Sequence, residues 1–213
     1  MHINLRLTAL FAAAALAGPA AVAVAQTVSS PDHPRFDVPA ASDTPVPATA
    51  ADKAAFSVLA RPASADDTDN ALVARIASQS GIGVDADGAR VVGSIASGRV
   101  WLIPANGALC LGLEDTATDS LGISCTLEDA ALQDGVTIGD GTQVYGLAPD
   151  AVTAIHAAPA DASSRAAAAT SGGDSLGTGG EVYTLDAGHN TVTLDAPDGS
   201  RSFDANGGGD HGG

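Results

Sequence analysis

The stretch Ser171–Gly180, SGGDSLGTGG, holds the residues best suited to covalent chemistry. Gly173-Asp174-Ser175-Leu176-Gly177 fits the Gly-x-Ser-x-Gly pattern, in which a sharp turn presents a serine to an ester or amide carbonyl. Asp186-Ala187-Gly188-His189 follows and supplies an acid and a base of the kind that activates such a serine. His156, within TAIHA, is a second base upstream of Ser175.

A nucleophilic serine needs a frame: a strand before it, a helix after it, and backbone N–H groups aimed at the developing oxyanion. Ser175 follows SRAAAATSGG and precedes GTGGEVY, which predict neither a strand before it nor a helix after it. The letters GDSL are those of the GDSL-type esterases, where the serine opens an α/β domain and the Asp and His close it. Here Asp186 and His189 lie 11 and 14 residues from the serine, with no α/β pattern. His156 and Ser175 have the chain order of a chymotrypsin-like protease but are only 19 residues apart, whereas each barrel of such a protease supplies part of the triad. Leu176-Gly177 also stands where the Gly-Gly of that motif would be. The expectation is therefore no catalytic residue, with an esterase using Ser175, Asp186 and His189 as the alternative.

Acidic turns recur at DADG (85–88), GDGT (139–142), DAPDG (195–199) and DANGGGDHGG (204–213). None completes the Asp-x-Asp-x-Asp-Gly calcium loop, so they read as turn chemistry, and a calcium-dependent adhesion module is kept as a further alternative. His33, His156, His189 and His211 have no metal-ligand spacing, and neither Gly-rich stretch carries the Lys of a phosphate loop. No metal and no cofactor is expected. Trp101, the sole Trp, is expected in the core against Leu109 or Val144.

Two cysteines, Cys110 and Cys125, have no metal-site spacing and no nearby His. An even count in an exported chain predicts a disulfide, with a metal pair or catalytic thiols as the alternatives. Export itself is read at the start. Arg6 gives a positive n-region, Leu7–Leu16 an apolar run, and Ala23-Val24-Ala25 a small-x-small cleavage site before Gln26. Residues 1–25 are thus expected to be a signal peptide, the rival being an uncleaved anchor. The 213-residue chain carries a formal charge of −16, and without Arg6 the mature chain has 8 basic against 25 acidic residues. Phosphates would be repelled, which excludes nucleic acid and anionic membranes as partners; membrane contact is expected only during export, and the partner is left unknown.

The remaining pattern is of short elements. Residues 26–50, rich in Pro, Ala, Ser and Thr, read as a disordered spacer. Residues 51–82 predict two short helices: Asp52 caps one that Pro62 ends, and the other runs from Ser64 to a stop at Gly81. From Gly83 to Ala157, β-type runs alternate with turns; Leu121, Ile123 and Cys125 share one strand face, and Asp140-Gly141 marks a hairpin. Residues 158–180 read as a flexible loop, 181–204 as the last strands, and 205–213 as a disordered tail. The fold class predicted is mainly β (α+β): about eight short antiparallel strands in one sheet or small sandwich, preceded by two short helices.

Trp101-Leu102-Ile103-Pro104, Leu109-Cys110, Gly122-Ile123-Ser124-Cys125 and Gly146-Leu147-Ala148-Pro149-Asp150-Ala151-Val152 together resemble a group of secreted actinobacterial proteins of unknown function. The resemblance covers roughly residues 55–157 and extends to 181–204, with 158–180 as an insertion, and departs from the group at Ala151, where a Gly is expected. It implies export, a disulfide and β structure, and no chemistry. The expected function is a non-catalytic binding or structural module of the cell envelope or extracellular space.

Overall fold

The computed structural model describes residues 44–140, 142–159, 174–185 and 189–205. The proposed cleavage site at Ala25–Gln26, the spacer before Thr44, residues 160–173, Asp186 and the tail after Ala205 lie outside the described residues. The chain is mainly β and antiparallel. Among the described residues eleven short strands form three sheets, in keeping with the mainly β, antiparallel class expected from about eight strands in one sheet or small sandwich.

The first sheet is the meander β1 (Arg90–Ile95), β2 (Gly98–Ala105), β3 (Ala108–Asp115) and β4 (Ser120–Leu127). The second is β5 (Val136–Gly139), β6 (Val144–Leu147) and β9 (Val182–Leu185), in that order. The third has the order β11-β10-β7-β8, from β7 (Ala154–Pro159), β8 (Asp174–Gly177), β10 (His189–Ala196) and β11 (Gly199–Asp204).

Strand parity explains how they stack. On β2, Trp101, Ile103 and Ala105 point to one face and Val100 and Leu102 to the other, and all are buried. A strand buried on both faces reads as an unbroken apolar run, which is what RVWLIP is. One face packs under α3 (Ala71–Ser80) through Val73, Leu72 and Ile76. The other meets Phe56, Leu59, Val136, Ile138, Tyr145 and Leu147, so the second sheet covers it. The reverse face of the second sheet, with Tyr183 and Leu185, joins Ile155, Ala157, Val192 and Leu194 of the third.

The helices differ in detail from expectation. α1 (Ala50–Ala55) starts at Thr49, not Asp52. Asp52 is the third residue of a capping box, taking the Thr49 N–H at 2.7 Å while Thr49 Oγ1 takes the Asp52 N–H at 3.1 Å. This docks the end of the expected spacer, where Ala48 packs on the first core. The helix foreseen from Ser64 to Gly81 is two. α2 (Ala65–Thr68) stops at Asp69, and Asn70 opens α3 with its side-chain amide bound to the Ala86 carbonyl at 2.9 Å. Gly81, at φ 66°, ends α3 in the left-handed conformation. α4 (Glu128–Asp134) links β4 to β5.

The loop expected over 158–180 is corrected at both ends. β7 continues through Pro159, and β8 pairs with Ile155, His156 and Ala157. Leu176 is the reason: it is the apolar side chain of an otherwise polar run and packs on the third core.

Tyr183 lies across Gly146, its partner in the β6–β9 register. A Cβ at Gly146 would come 2.1 Å from Tyr183 Cζ, so only glycine admits the ring. The Tyr183 hydroxyl is buried without a hydrogen-bond partner among the described residues. Burial, with the nearby Asp134 charge, pushes its pKa up. A buried unpaired hydroxyl costs about 1–3 kcal/mol. Tyr183→Phe is therefore expected to match or exceed the wild type in urea unfolding, by up to about 1 kcal/mol. A loss beyond 1 kcal/mol in that comparison would show that the hydroxyl is bonded.

Candidate functional site

Two groups of polar side chains, around Asp67 and Glu114, are withdrawn from water, and each joins separate elements. Asp67, on α2, has a fully buried side chain. It accepts from the Ser64 N–H (2.6 Å), Ser64 Oγ (2.7 Å) and Val91 N–H (2.7 Å), and from both terminal nitrogens of Arg61. Arg61 Nη2 also donates to the Val91 carbonyl at 3.1 Å, so the pair ties α2 to β1. Burial alone would raise the Asp67 pKa, but the Arg61, Ser64 and Val91 donors outweigh it and hold the carboxyl well below the usual range.

Glu114 interrupts the apolar β3 and is 4% exposed. It faces Arg99, its partner in the β2–β3 register, and takes both Nε (2.8 Å) and Nη2 (2.7 Å). Its Oε2 also accepts the Trp101 indole N–H at 2.7 Å, and the Arg99 guanidinium sits 5.0 Å from the Trp101 ring centroid. Arg99 extends to Asp69 Oδ2 at 3.1 Å. The Arg99 hydrogen bond is the main cause of a lowered Glu114 pKa, and Glu114 in turn raises that of Arg99. Trp101 is a core residue, but its neighbours are Val73, Val84, Ile103 and Cys110 rather than Leu109 or Val144. Leu109 lies on the opposite face of the sheet, and Val144 in the third core. The missed signal for this cluster is a Glu in an apolar strand, set opposite an Arg by a two-residue turn.

Asp140 spends its carboxylate inside its own turn. Oδ1 takes the Gln143 N–H (2.8 Å), the Thr142 N–H (2.8 Å) and Thr142 Oγ1 (2.7 Å), which lowers its pKa to about 2. Asp195, in the third candidate calcium turn, takes Ser200 Oγ at 2.6 Å and the His156 ring at 3.2 Å. Among the described residues no three His, Cys, Asp or Glu side chains gather closely enough to hold a metal.

His156 and Ser175 are brought together more closely than their spacing suggested. They are opposed in the β7–β8 register, and Thr193 opposes His156 on the other side. The His156 Nε2–Asp195 Oδ2 contact of 3.2 Å joins β7 to β10, with the two side chains 36% and 40% exposed. A contact this wet contributes about 0–1 kcal/mol. The proposed set of Ser175, Asp186 and His189 rests on side chains outside the described residues.

Cys110 and Cys125 are bonded, and they are opposed residues of β3 and β4 with Cα atoms 4.0 Å apart. Closing a loop of this length is worth about 3 kcal/mol in the chain-entropy account. The Cys110→Ser/Cys125→Ser double variant is expected to lose about 3 kcal/mol in urea unfolding; a change under about 1 kcal/mol would mean that the β3–β4 pairing holds without the bridge.

No protein-family model matches this chain, and neither a curated protein nor a solved structure is significantly similar to it.

Proposed function

We propose that this is an exported, non-catalytic binding or structural module of the cell envelope or extracellular space, with residues 1–25 removed as a signal peptide between Ala25 and Gln26. The Cys110–Cys125 bridge carries the reading, because disulfides persist in oxidising compartments. The buried acids support it: Asp67 and Glu114 are saturated by Arg, Ser, Trp and backbone donors that join elements of the fold. Such groups hold structure and are not free to exchange protons with a substrate. The resemblance to secreted actinobacterial proteins points the same way.

Intact mass of the protein recovered from the medium of an expressing culture tests this. The expected species begins at Gln26 and is two hydrogens lighter than the dithiol. Full-length chain retained in the cytoplasm with both thiols free would sink the proposal. One observation favours a serine hydrolase, with His156 as the base in place of the His189 of the esterase alternative: the register that sets Ser175 opposite His156. Hydrolysis of p-nitrophenyl acetate above background, abolished in Ser175→Ala, would establish it; equal rates in wild type and variant would remove it.

A further inference from the structure

The two cysteines of the bridge differ in their surroundings. Cys110 is fully buried, among Trp101, Ile103 and Leu121, whereas Cys125 is exposed. Sheet order adds direction. A thiolate attacks a disulfide in line with the S–S bond, from behind the sulfur it joins. Behind Cys110, on β2, stands Ile103, its opposed partner and itself fully buried. Behind Cys125 the sheet ends, because β4 is the edge strand of the order β1-β2-β3-β4.

We propose that Cys125 is a thiol-exchange site, at which small external thiols form a mixed disulfide. The incoming thiolate bonds to the Cys125 sulfur and the S–S bond breaks. Its electron pair goes to Cys110, which takes up the proton that the incoming thiol lost. No other oxidant or reductant is required, since one disulfide replaces another. The adduct projects past the sheet edge and displaces no core side chain. Burial in the apolar cluster disfavours the Cys110 thiolate and so slows its departure, while the fold keeps Cys110 beside the mixed disulfide, so that the return attack restoring the bridge competes with the forward step. The adduct therefore accumulates only with thiol in excess. The bridge is thus a reversible point of modification as well as a staple.

The test uses the oxidised protein and excess 2-mercaptoethanol, an uncharged probe that the acidic surface does not repel. Acid quenching and non-reducing peptide mapping follow. The expected result is an adduct on the Cys125 peptide alone. An adduct shared with Cys110, or a bridge that reacts only in urea, overturns the proposal. A second measurement compares iodoacetamide alkylation of Cys110→Ser, which leaves Cys125 free, with Cys125→Ser, which leaves Cys110 free. The first is expected to react faster by about tenfold or more in buffer, and both alike in urea. Equal rates in buffer, with circular dichroism showing both variants folded, also overturn it. Should either variant be unfolded, the wild-type map decides.

Discussion

Replacing Asp67 with alanine is expected to lower the unfolding free energy by about 3–5 kcal/mol, the range for removing one partner of a buried ion pair. The expected drop in melting temperature is roughly 10 °C for a chain of this size. The cause is what remains. The Ser64 and Val91 N–H groups would be left at the α2–β1 junction without an acceptor, and the Arg61 guanidinium without its carboxylate. Arg61→Ala should cost less, because Arg61 is about one-third exposed and the stranded carboxylate keeps its Ser64 and Val91 donors.

The effect carries a pH signature. Asp67 is held below its ordinary value of 3.8, so its stabilisation is complete above that pH and is lost as the pH falls towards its lower folded pKa. The gap between wild type and Asp67→Ala, measured by urea unfolding across pH, should be full at pH 7 and narrow below about pH 3.8. A gap under about 1 kcal/mol at pH 7, or one that widens in acid, would show that the junction is held by other contacts.

Trp101→Ala is expected to cost a similar 3–5 kcal/mol, since the ring is almost wholly buried and fills the space between α3 and the first sheet. Trp101→Phe separates packing from polarity. It keeps an aromatic ring but removes the N–H that Glu114 accepts, and should cost about 1–3 kcal/mol. Far-UV circular dichroism is the measurement, because both variants remove the sole Trp. Equal losses would mean that the indole N–H carries the whole effect. Losses under about 1 kcal/mol in both would mean that the ring is not packed in the core.

Part of this fold is legible in the amino-acid sequence alone. The β2–β3 turn at Asn106-Gly107, the final hairpin at Pro197-Asp198, and the face shared by Leu121, Ile123 and Cys125 all follow from local chemistry. Turn residues fix where strands reverse, and a period of two fixes which side chains travel together. The stop at Gly81 follows in the same way, because a left-handed residue after a helix favours glycine.

What the sequence could not determine is how those strands pair across long separations. β6 pairs with β9 and β7 with β10, and such pairing depends on which apolar faces meet, not on neighbours in the chain. That is why the sequence points to one sheet or a small sandwich without saying that three sheets stack. It is also why His156 and Ser175, weighed by sequence distance, stand opposed across two strands. Glu114 and Asp67 look like two more charges in an acidic chain. Only the register that sets Arg99 beside Glu114, and the packing that carries Val91 to Asp67, make them buried anchors. Composition and spacing determined the β character and the pairing of the cysteines; tertiary packing decided that Cys125 is exposed and that Cys110 is buried beside Ile103.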